Sequence, residues 1–158
     1  MLQLVPTLQV LQKLKVAHRD IKPANIIYNP ATENFTLIDF GVGIVNETGR
    51  LIGSIGYISS LVAFDADHLS LNEWFINDIF SLGATIFYLL NRKYAFEIGK
   101  GDPNGLTTFE RSSKLDYKKP NIWIWNQNKI VVEIVSAMLK EKYNAKDLLE
   151  FFDFSKLH

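Results

Sequence analysis

Apolar residues near the start of the chain recur at helical spacing. Leu8, Leu11 and Leu14 lie three residues apart, with polar residues between them, a spacing typical of an amphipathic helix. The pattern predicts a helix over "LQVLQKLKVA" that runs directly into His18. Two short runs rich in Ile, Phe and Thr follow, "NIIY" and "FTLIDF", separated by the turn-favouring segment "NPATEN". We expect a small β-hairpin there.

The second half of the chain has the pattern of a helical domain. The stretch "SLNEWFINDIFSLGATIFYLLN" begins with Ser70 and Glu73 at capping-box spacing and is then apolar on nearly every face, which predicts a buried central helix. "NKIVVEIVSAML" and "NAKDLLEFFDF" predict two short closing helices, the second capped by Asn144. Residues 92–127 show no clear period, although the tryptophans of "NIWIWN" suit a loop anchor. The expected fold is mainly α with a small β-hairpin, in one domain over residues 1–158.

The segment from Gly41 to Leu61 contains five glycines and no sustained period. The glycines occupy positions 41, 43, 49, 53 and 56. Such a segment predicts a long, mobile loop, and long loops in compact domains are usually functional. An ordinary long loop is the alternative interpretation, but the neighbouring "IDFG" favours a switch segment.

Composition excludes several classes of function. Seventeen basic residues balance seventeen acidic ones in the 158-residue chain, so no global field favours nucleic acid or an anionic membrane. The absence of cysteine excludes disulfides, thiolate metal sites and a cysteine nucleophile, and fits a cytoplasmic compartment. The longest apolar run, Ile79–Leu90, is shorter than the roughly 20 residues of a membrane helix. We expect a soluble cytoplasmic chain whose function comes from a local site.

Candidate chemistry is concentrated around the predicted hairpin. Asp20 and Asn25 precede its first strand and Asp39 follows its second, so the three side chains can converge at the hairpin mouth. Asp20 and Asn25 alone would suit an ordinary turn. Together with Asp39, however, Asn25 offers the oxygen ligands that Mg²⁺ takes alongside substrate phosphates. Asp20 can accept a hydroxyl proton while Lys22 neutralises developing phosphoryl charge.

These motifs resemble those of the protein kinase family. "HRDIKPAN" with "DFG" is similar to the kinase catalytic loop and metal-binding motif. "GSIGY" resembles the end of the activation segment, "DIFSLG" the central helix, and "NAKDLL" a closing helix. The order of the motifs matches as well. The resemblance covers essentially the whole chain, but only the C-terminal lobe of the family's α+β fold.

The resemblance implies a role for each candidate residue. Asp20 would be the catalytic base and Lys22 the lysine that contacts phosphate. Asn25 and Asp39 would hold Mg²⁺ and so help to bind ATP, while Ile27 would form the floor beneath the adenine. The lysine two residues after the aspartate is the serine/threonine form of the motif. The implied reaction therefore transfers the γ-phosphate of ATP to a Ser or Thr hydroxyl of a protein substrate.

Four further residues resemble structural positions of the family. His18 and Phe40 would pack against each other inside the domain. Asp78 would cap the backbone of the catalytic loop from the central helix. Ser54 stands where the family usually has a threonine that steadies the base and the lysine.

The match departs from the family in two places. In the family, the glycine-rich phosphate loop and its strand lysine precede the first helix. Neither motif precedes the first helix of this sequence, so the resemblance predicts a chain without an N-lobe. A separate N-lobe or a second copy would then cover the exposed cleft. The family's Ala-Pro-Glu positions read Ser59, Ser60 and Leu61, and the arginine that pairs with that glutamate falls near Lys142. We expect a looser segment there.

Three functional hypotheses follow for the chain. The leading one is a serine/threonine protein kinase that uses ATP and Mg²⁺. The alternatives are a non-catalytic kinase lobe that acts as a binding module, and a truncated kinase fragment with no independent role. Regulation would follow the family if Arg19 read a phosphate on the activation segment, with Thr48 as the candidate site.

Overall fold

The computed structural model describes residues 1–40, 53–96, 117 and 128–154. In these ranges the chain forms five α-helices and one two-stranded sheet. The elements are α1 (Leu4–Lys13), β1 (Ile26–Asn29), β2 (Asn34–Leu37), α2 (Ser60–Asp65), α3 (Leu71–Asn91), α4 (Lys129–Met138) and α5 (Ala145–Phe151). Short 3₁₀ turns cover Pro23–Asn25 and Ala66–His68. The predicted mainly helical fold with a small hairpin is confirmed.

Helix α3 is the central element of the fold. It begins with the predicted capping box, in which the Ser70 backbone N–H donates to the Glu73 carboxylate at 2.7 Å and the Glu73 N–H donates to Ser70 Oγ at 3.3 Å. Because apolar residues surround its axis, α3 packs against α1, α2, α4 and α5 at once. Neither α3 nor any other helix within the described ranges has the length and hydropathy to cross a membrane.

Two hydrophobic clusters are built on α3. The larger one joins α1, α3, α4 and α5, and its fully buried members include Leu4, Val5, Ile79, Phe80, Leu82, Ile134, Val135 and Leu148. The smaller one consists of Ala17, Ile58, Val62, Ala63 and Trp74. Because the smaller cluster joins the residues before His18 to the segment after Gly53, it holds these two parts of the chain against the same helix.

The hairpin pairs its strands in a register that matters for the site. Ile26 lies opposite Leu37 and Asn29 lies opposite Asn34 in the antiparallel ladder. The ladder extends one step beyond the strands, because the Ile38 N–H donates to the Asn25 carbonyl at 2.9 Å. Asn25 and the residues after Ile38 are therefore brought to the same end of the hairpin, as the sequence predicts.

Helix α1 differs in detail from its prediction. It ends at Lys13, and Leu14 is the C-cap residue with 66% of its surface exposed. The buried face is formed by Leu4, Val5 and Leu8. A helix has about 3.6 residues per turn, so a strict three-residue spacing drifts away from a single face. The prediction that Leu14 belongs to the apolar face was wrong for this reason.

The predicted switch segment is described only in part. Its residues 41–52 lie outside the described residues, as does "NIWIWN". The described part is not a free loop, since Ile58 and Ser59 are fully buried and α2 already begins at Ser60. The two closing helices are confirmed, with Asn144 and Asp147 forming a capping box at the start of α5.

Gly83 permits the close approach of α3 to α4. A Cβ atom at position 83 would lie 2.7 Å from the Cβ of Met138, which is closer than non-bonded carbon atoms approach. We predict that Gly83→Ala lowers the free energy of unfolding, because overpacking costs about 1–3 kcal/mol and outweighs the roughly 1 kcal/mol gain in helix propensity. Urea denaturation measures the change. A variant as stable as the parent chain would contradict the close approach.

Candidate active site

The loop that leads into the hairpin is anchored to α3 by one carboxylate. Asp78 Oδ2 accepts a hydrogen bond from the His18 backbone N–H at 2.7 Å, and Oδ1 accepts one from the Arg19 N–H at 2.8 Å. Asp78 is almost fully buried. The predicted capping of this loop by Asp78 is confirmed. The two bonds also hold Arg19 in a left-handed conformation with φ 71°, which is uncommon for residues other than glycine.

The charge of Asp78 is balanced within the same buried region. Burial raises the pKa of Asp78 to about 7, opposed by the two backbone hydrogen bonds and by the guanidinium of Arg19. That guanidinium lies 4.5 Å from the ring centroid of Trp74, a cation–π contact. Arg19 is only 6% exposed, and its Nε has no hydrogen-bond partner among the described residues. The structure therefore places Arg19 on Trp74, while the candidate phosphosite Thr48 lies outside the described residues.

Asp20 is the centre of a hydrogen-bonded network. Lys22 Nζ donates to Asp20 Oδ2 at 2.6 Å and to Ser54 Oγ at 2.9 Å, and Ser54 Oγ donates to Asp20 Oδ1 at 2.9 Å. Asn25 Nδ2 donates to the Asp20 carbonyl at 2.8 Å and to Oδ2 at 3.1 Å. Ser54 thus steadies both the acid and the lysine, as predicted. The side chains of Asp20 and Lys22 remain 11% and 27% exposed, so solvent reaches both.

Asn25 and Asp39 lie at the same end of the hairpin. Both hydrogen bonds of the Asn25 side chain use Nδ2, which leaves its oxygen available as a ligand. Asp39 follows Ile38, the residue opposite Asn25, and is exposed with φ 64°. No group of three or more His, Asp or Glu side chains that could hold a metal occurs among the described residues. These two oxygens fit Mg²⁺, which usually takes few protein ligands and completes its coordination with phosphate and water.

His18 is a packing residue with a defined tautomer. Its Nε2 lies 2.9 Å from the Ile38 carbonyl, and its Nδ1 accepts the Asp20 backbone N–H at 3.3 Å. The proton is therefore assigned to Nε2, where it is donated to the carbonyl. The ring lies 4.8 Å from that of Phe40 at 59°, so the predicted contact is confirmed as a tilted pair. The prediction that Phe40 lies inside the domain was wrong, because Phe40 lies beyond the end of β2 and is 40% exposed.

Two apolar side chains near the site remain open to solvent. Ile27, the predicted adenine floor, is 52% exposed on β1, and Phe40 is 40% exposed beyond β2. The position of Ile27 agrees with a surface residue of a cleft, whereas its contact with adenine stays a prediction.

One contact was not predicted from the sequence. Glu141 accepts a hydrogen bond from the Ser60 backbone N–H at 2.6 Å, and its other oxygen contacts Ser60 Oγ. Lys142, which the sequence indicated for this position, instead lies over the ring of Tyr143 at 5.5 Å. The prediction assumed a basic partner, as in the family, and so passed over the neighbouring acid. The Ser60–Glu141 contact joins this segment to the residues after α4, whereas the expected loosening stays a prediction.

Comparison with known proteins identifies the family. The family model for the protein kinase domain matches residues 1–150. The chain belongs to the protein kinase family. It is 35% identical to Serine/threonine-protein kinase D of Synechocystis over 72% of this chain and 24% of that protein. It is 31% identical to the Aurora kinase of Saccharomyces cerevisiae over 99% of this chain and 39% of that one. The resemblance stated from the sequence motifs is confirmed.

A solved kinase shares the fold. The structure of the Cydia pomonella granulovirus kinase PK-1 superposes with a TM-score of 0.73 at 21% identity, over 94% of this chain and 54% of that one. The chain spans only about a quarter of the length of the bacterial kinases that it resembles, 27% of Serine/threonine-protein kinase C and 24% of kinase D of Synechocystis.

Of the two described histidines, His18 should have a pKa below the ordinary value of 6.5 and His68 a pKa above it. Burial lowers the pKa of His18 below 6.5, although the Ile38 carbonyl and nearby Asp20 and Asp39 oppose the shift. The hydrogen bond that the His68 ring donates to the Asp65 carboxylate raises the pKa of exposed His68 above 6.5. NMR titration of the ring protons measures both values and makes His68 the internal control.

The lowered pKa of His18 makes the stability of the fold depend on pH. Because the folded pKa of His18 is depressed, the folded state binds fewer protons than the unfolded state just below pH 6.5. The contribution of His18 to stability is therefore lost as the pH falls below 6.5. A His18 that titrates above 6.5 would contradict the assigned neutral ring.

Proposed function

We propose that this chain carries the phosphate-transfer residues of an ATP-dependent serine/threonine protein kinase. The observation that carries the proposal is the network in which Lys22 and Ser54 hold both oxygens of Asp20. A carboxylate fixed in this way is oriented before a substrate arrives. Orientation and charge stabilisation supply most of the catalysis in phosphoryl transfer.

Each residue has a distinct chemical task in the proposed reaction. Asp20 accepts the proton of the substrate hydroxyl as that oxygen attacks the γ-phosphorus, while the bond from the γ-phosphorus to the β-phosphate oxygen breaks and ADP leaves. Lys22, whose ammonium is partly exposed, neutralises the charge that develops on the transferred group. Asn25 and Asp39 would hold Mg²⁺, which would supply neutralisation of phosphate charge. Ile27 supports the adenine from below.

The substrate class follows from the lysine at position 22. A lysine two residues after the aspartate is the serine/threonine form of the motif, and the bacterial relatives carry serine/threonine kinase names. We infer a serine or threonine hydroxyl of a protein as the acceptor. Zero net charge and the absence of cysteine support a cytoplasmic protein without nucleic-acid or membrane partners.

A second candidate function is a non-catalytic binding module, and the exposure of Ile27 and Phe40 favours it. In the proposed kinase these side chains would be covered by nucleotide and by an N-lobe. We infer that an N-lobe or a second copy of the chain is the partner that covers them. A kinase fragment with no independent role is the remaining alternative.

Removing the proposed base should abolish most of the phosphate transfer. We predict that Asp20→Asn lowers the rate of γ-phosphate transfer to a serine peptide roughly 100- to 10,000-fold, the usual contribution of a general base. Asp67→Asn, at an exposed aspartate, is the control and should leave the rate unchanged. The measurement uses labelled Mg-ATP with matched serine and tyrosine peptides.

The outcomes separate the candidate functions. Transfer to the serine peptide that depends on Asp20 supports the kinase. Transfer to tyrosine would overturn the substrate class, and equal rates in the parent chain and Asp20→Asn would overturn the proposed base. A parent chain that transfers no phosphate, even with an N-lobe added, would favour the binding module.

The exposed apolar side chains generate a second prediction. Phe40→Asp should weaken self-association or N-lobe binding, because a charge there opposes burial of the surrounding surface. Light scattering over a range of concentrations measures association, with Phe64→Asp as a control at an exposed phenylalanine of α2. A chain that stays monomeric, binds no apolar dye and ignores an added N-lobe would show that the surface needs no partner.

A further inference from the structure

Glu141 joins two distant parts of the fold. It follows helix α4 and accepts a hydrogen bond from the backbone N–H of Ser60, the first residue of α2, at 2.6 Å. Its second carboxylate oxygen contacts Ser60 Oγ. Hydrogen bonds to an ionised acceptor are stronger than those between neutral groups. Glu141 therefore fixes the start of α2 through the backbone N–H and the hydroxyl of Ser60.

The backbone of Glu141 has an uncommon conformation. Its φ is 54°, in the left-handed region that glycine and asparagine adopt most readily. Glu33 has the same φ, so the conformation alone assigns no role to the side chain. The contact with Ser60 distinguishes Glu141 from Glu33.

The residues from Ser54 to Ser60 connect this contact to the candidate site. At one end, Ser54 Oγ donates to Asp20, and the Ser54 carbonyl accepts the Tyr57 N–H at 3.0 Å. At the other end, the Ser59 N–H donates to the Asn77 side chain at 3.0 Å. Between them Ile58 is buried, and its carbonyl accepts the hydroxyl of Tyr117 at 3.0 Å. The segment is short, and it is bound at both ends and in its middle.

We propose that Glu141 is a positioning residue for the Asp20 site. It holds the end of the Ser54–Ser60 segment, and the segment in turn holds the Ser54 hydroxyl between Asp20 and Lys22. The consequence for catalysis rests on the proposed function, but the mechanical coupling does not. The coupling is testable in the chain whether or not it transfers phosphate.

Glu141→Gly is the informative substitution, because glycine suits the left-handed backbone while removing the carboxylate. Glu33→Gly is the matched control. Glu33 has the same φ of 54°, is exposed, and its carboxylate makes no hydrogen bond or ion pair with the described part of the chain. Glu141→Gln is the conservative variant, since its amide oxygen still accepts the Ser60 N–H.

Amide hydrogen exchange in the full chain is the readout. In Glu141→Gly we expect exchange at the Tyr57, Ser59 and Ser60 amides to rise roughly 10- to 100-fold, the loss expected for a hydrogen bond to a charged group. The amides of α3 should be unchanged, Glu33→Gly should match the parent chain, and Glu141→Gln should recover most of the protection. A rise confined to Ser60, or a rise that includes α3, overturns the positioning role.

A double-mutant cycle with Ser54→Ala tests whether the coupling reaches the site. The Asn25 amide, which donates to the Lys22 carbonyl at 3.0 Å, reports on the loop around Asp20. Glu141→Gly should speed its exchange in the parent background and add little in Ser54→Ala, because the connecting hydroxyl is then absent. Additive effects would overturn the proposal.

Kinetics complete the test and separate the two proposals. In an active preparation Glu141→Gly should lower kcat and leave the KM for ATP unchanged, again without effect in the Ser54→Ala background. Additive exchange effects in a chain that transfers phosphate would overturn the role of Glu141 alone. Intact coupling in a chain that transfers no phosphate would overturn the proposed function alone.

Discussion

The pair of hydrogen bonds from the His18 and Arg19 backbone to Asp78 is the constraint on which the site depends. The two bonds join residues that are separated by 60 and by 59 positions in the sequence. They tie the loop before the hairpin to α3, which every other described helix contacts. The left-handed backbone of Arg19 is held by these bonds. Since Asp20 is the next residue, its direction is set by α3 rather than by the loop itself.

A second support for Asp20 comes from a different part of the sequence. Ser54 comes from the segment before α2, and the smaller hydrophobic cluster packs Ile58 of that segment against Trp74 of α3. Both supports therefore end on the same helix. Two separate stretches of chain therefore meet at Asp20, and each is fixed to the same buried helix, which favours an oriented carboxylate.

Much of the fold and the site was predictable, and the limits have physical causes. Local signals identified the capping box at Ser70, the hairpin and the Asp20 motif, because caps, turns and metal motifs depend on residues close in sequence. The Ser60–Glu141 contact was missed because it joins residues 81 positions apart and differs in chemistry from the family's ion pair. The burial of Arg19 on Trp74 was missed because an arginine gives no local sign of its partner.

The hydrogen bonds around Asp20 limit the direction from which a further group can reach it. A carboxylate has about four lone-pair sites. Ser54 occupies one on Oδ1, while Lys22 and Asn25 occupy two on Oδ2. Among the contacts of the described residues, a single acceptor position on Oδ1 is left for a further donor. Because one direction of approach leads to this lone pair, a donor would be selected first by its angle of approach to Asp20 and only then by its size or charge.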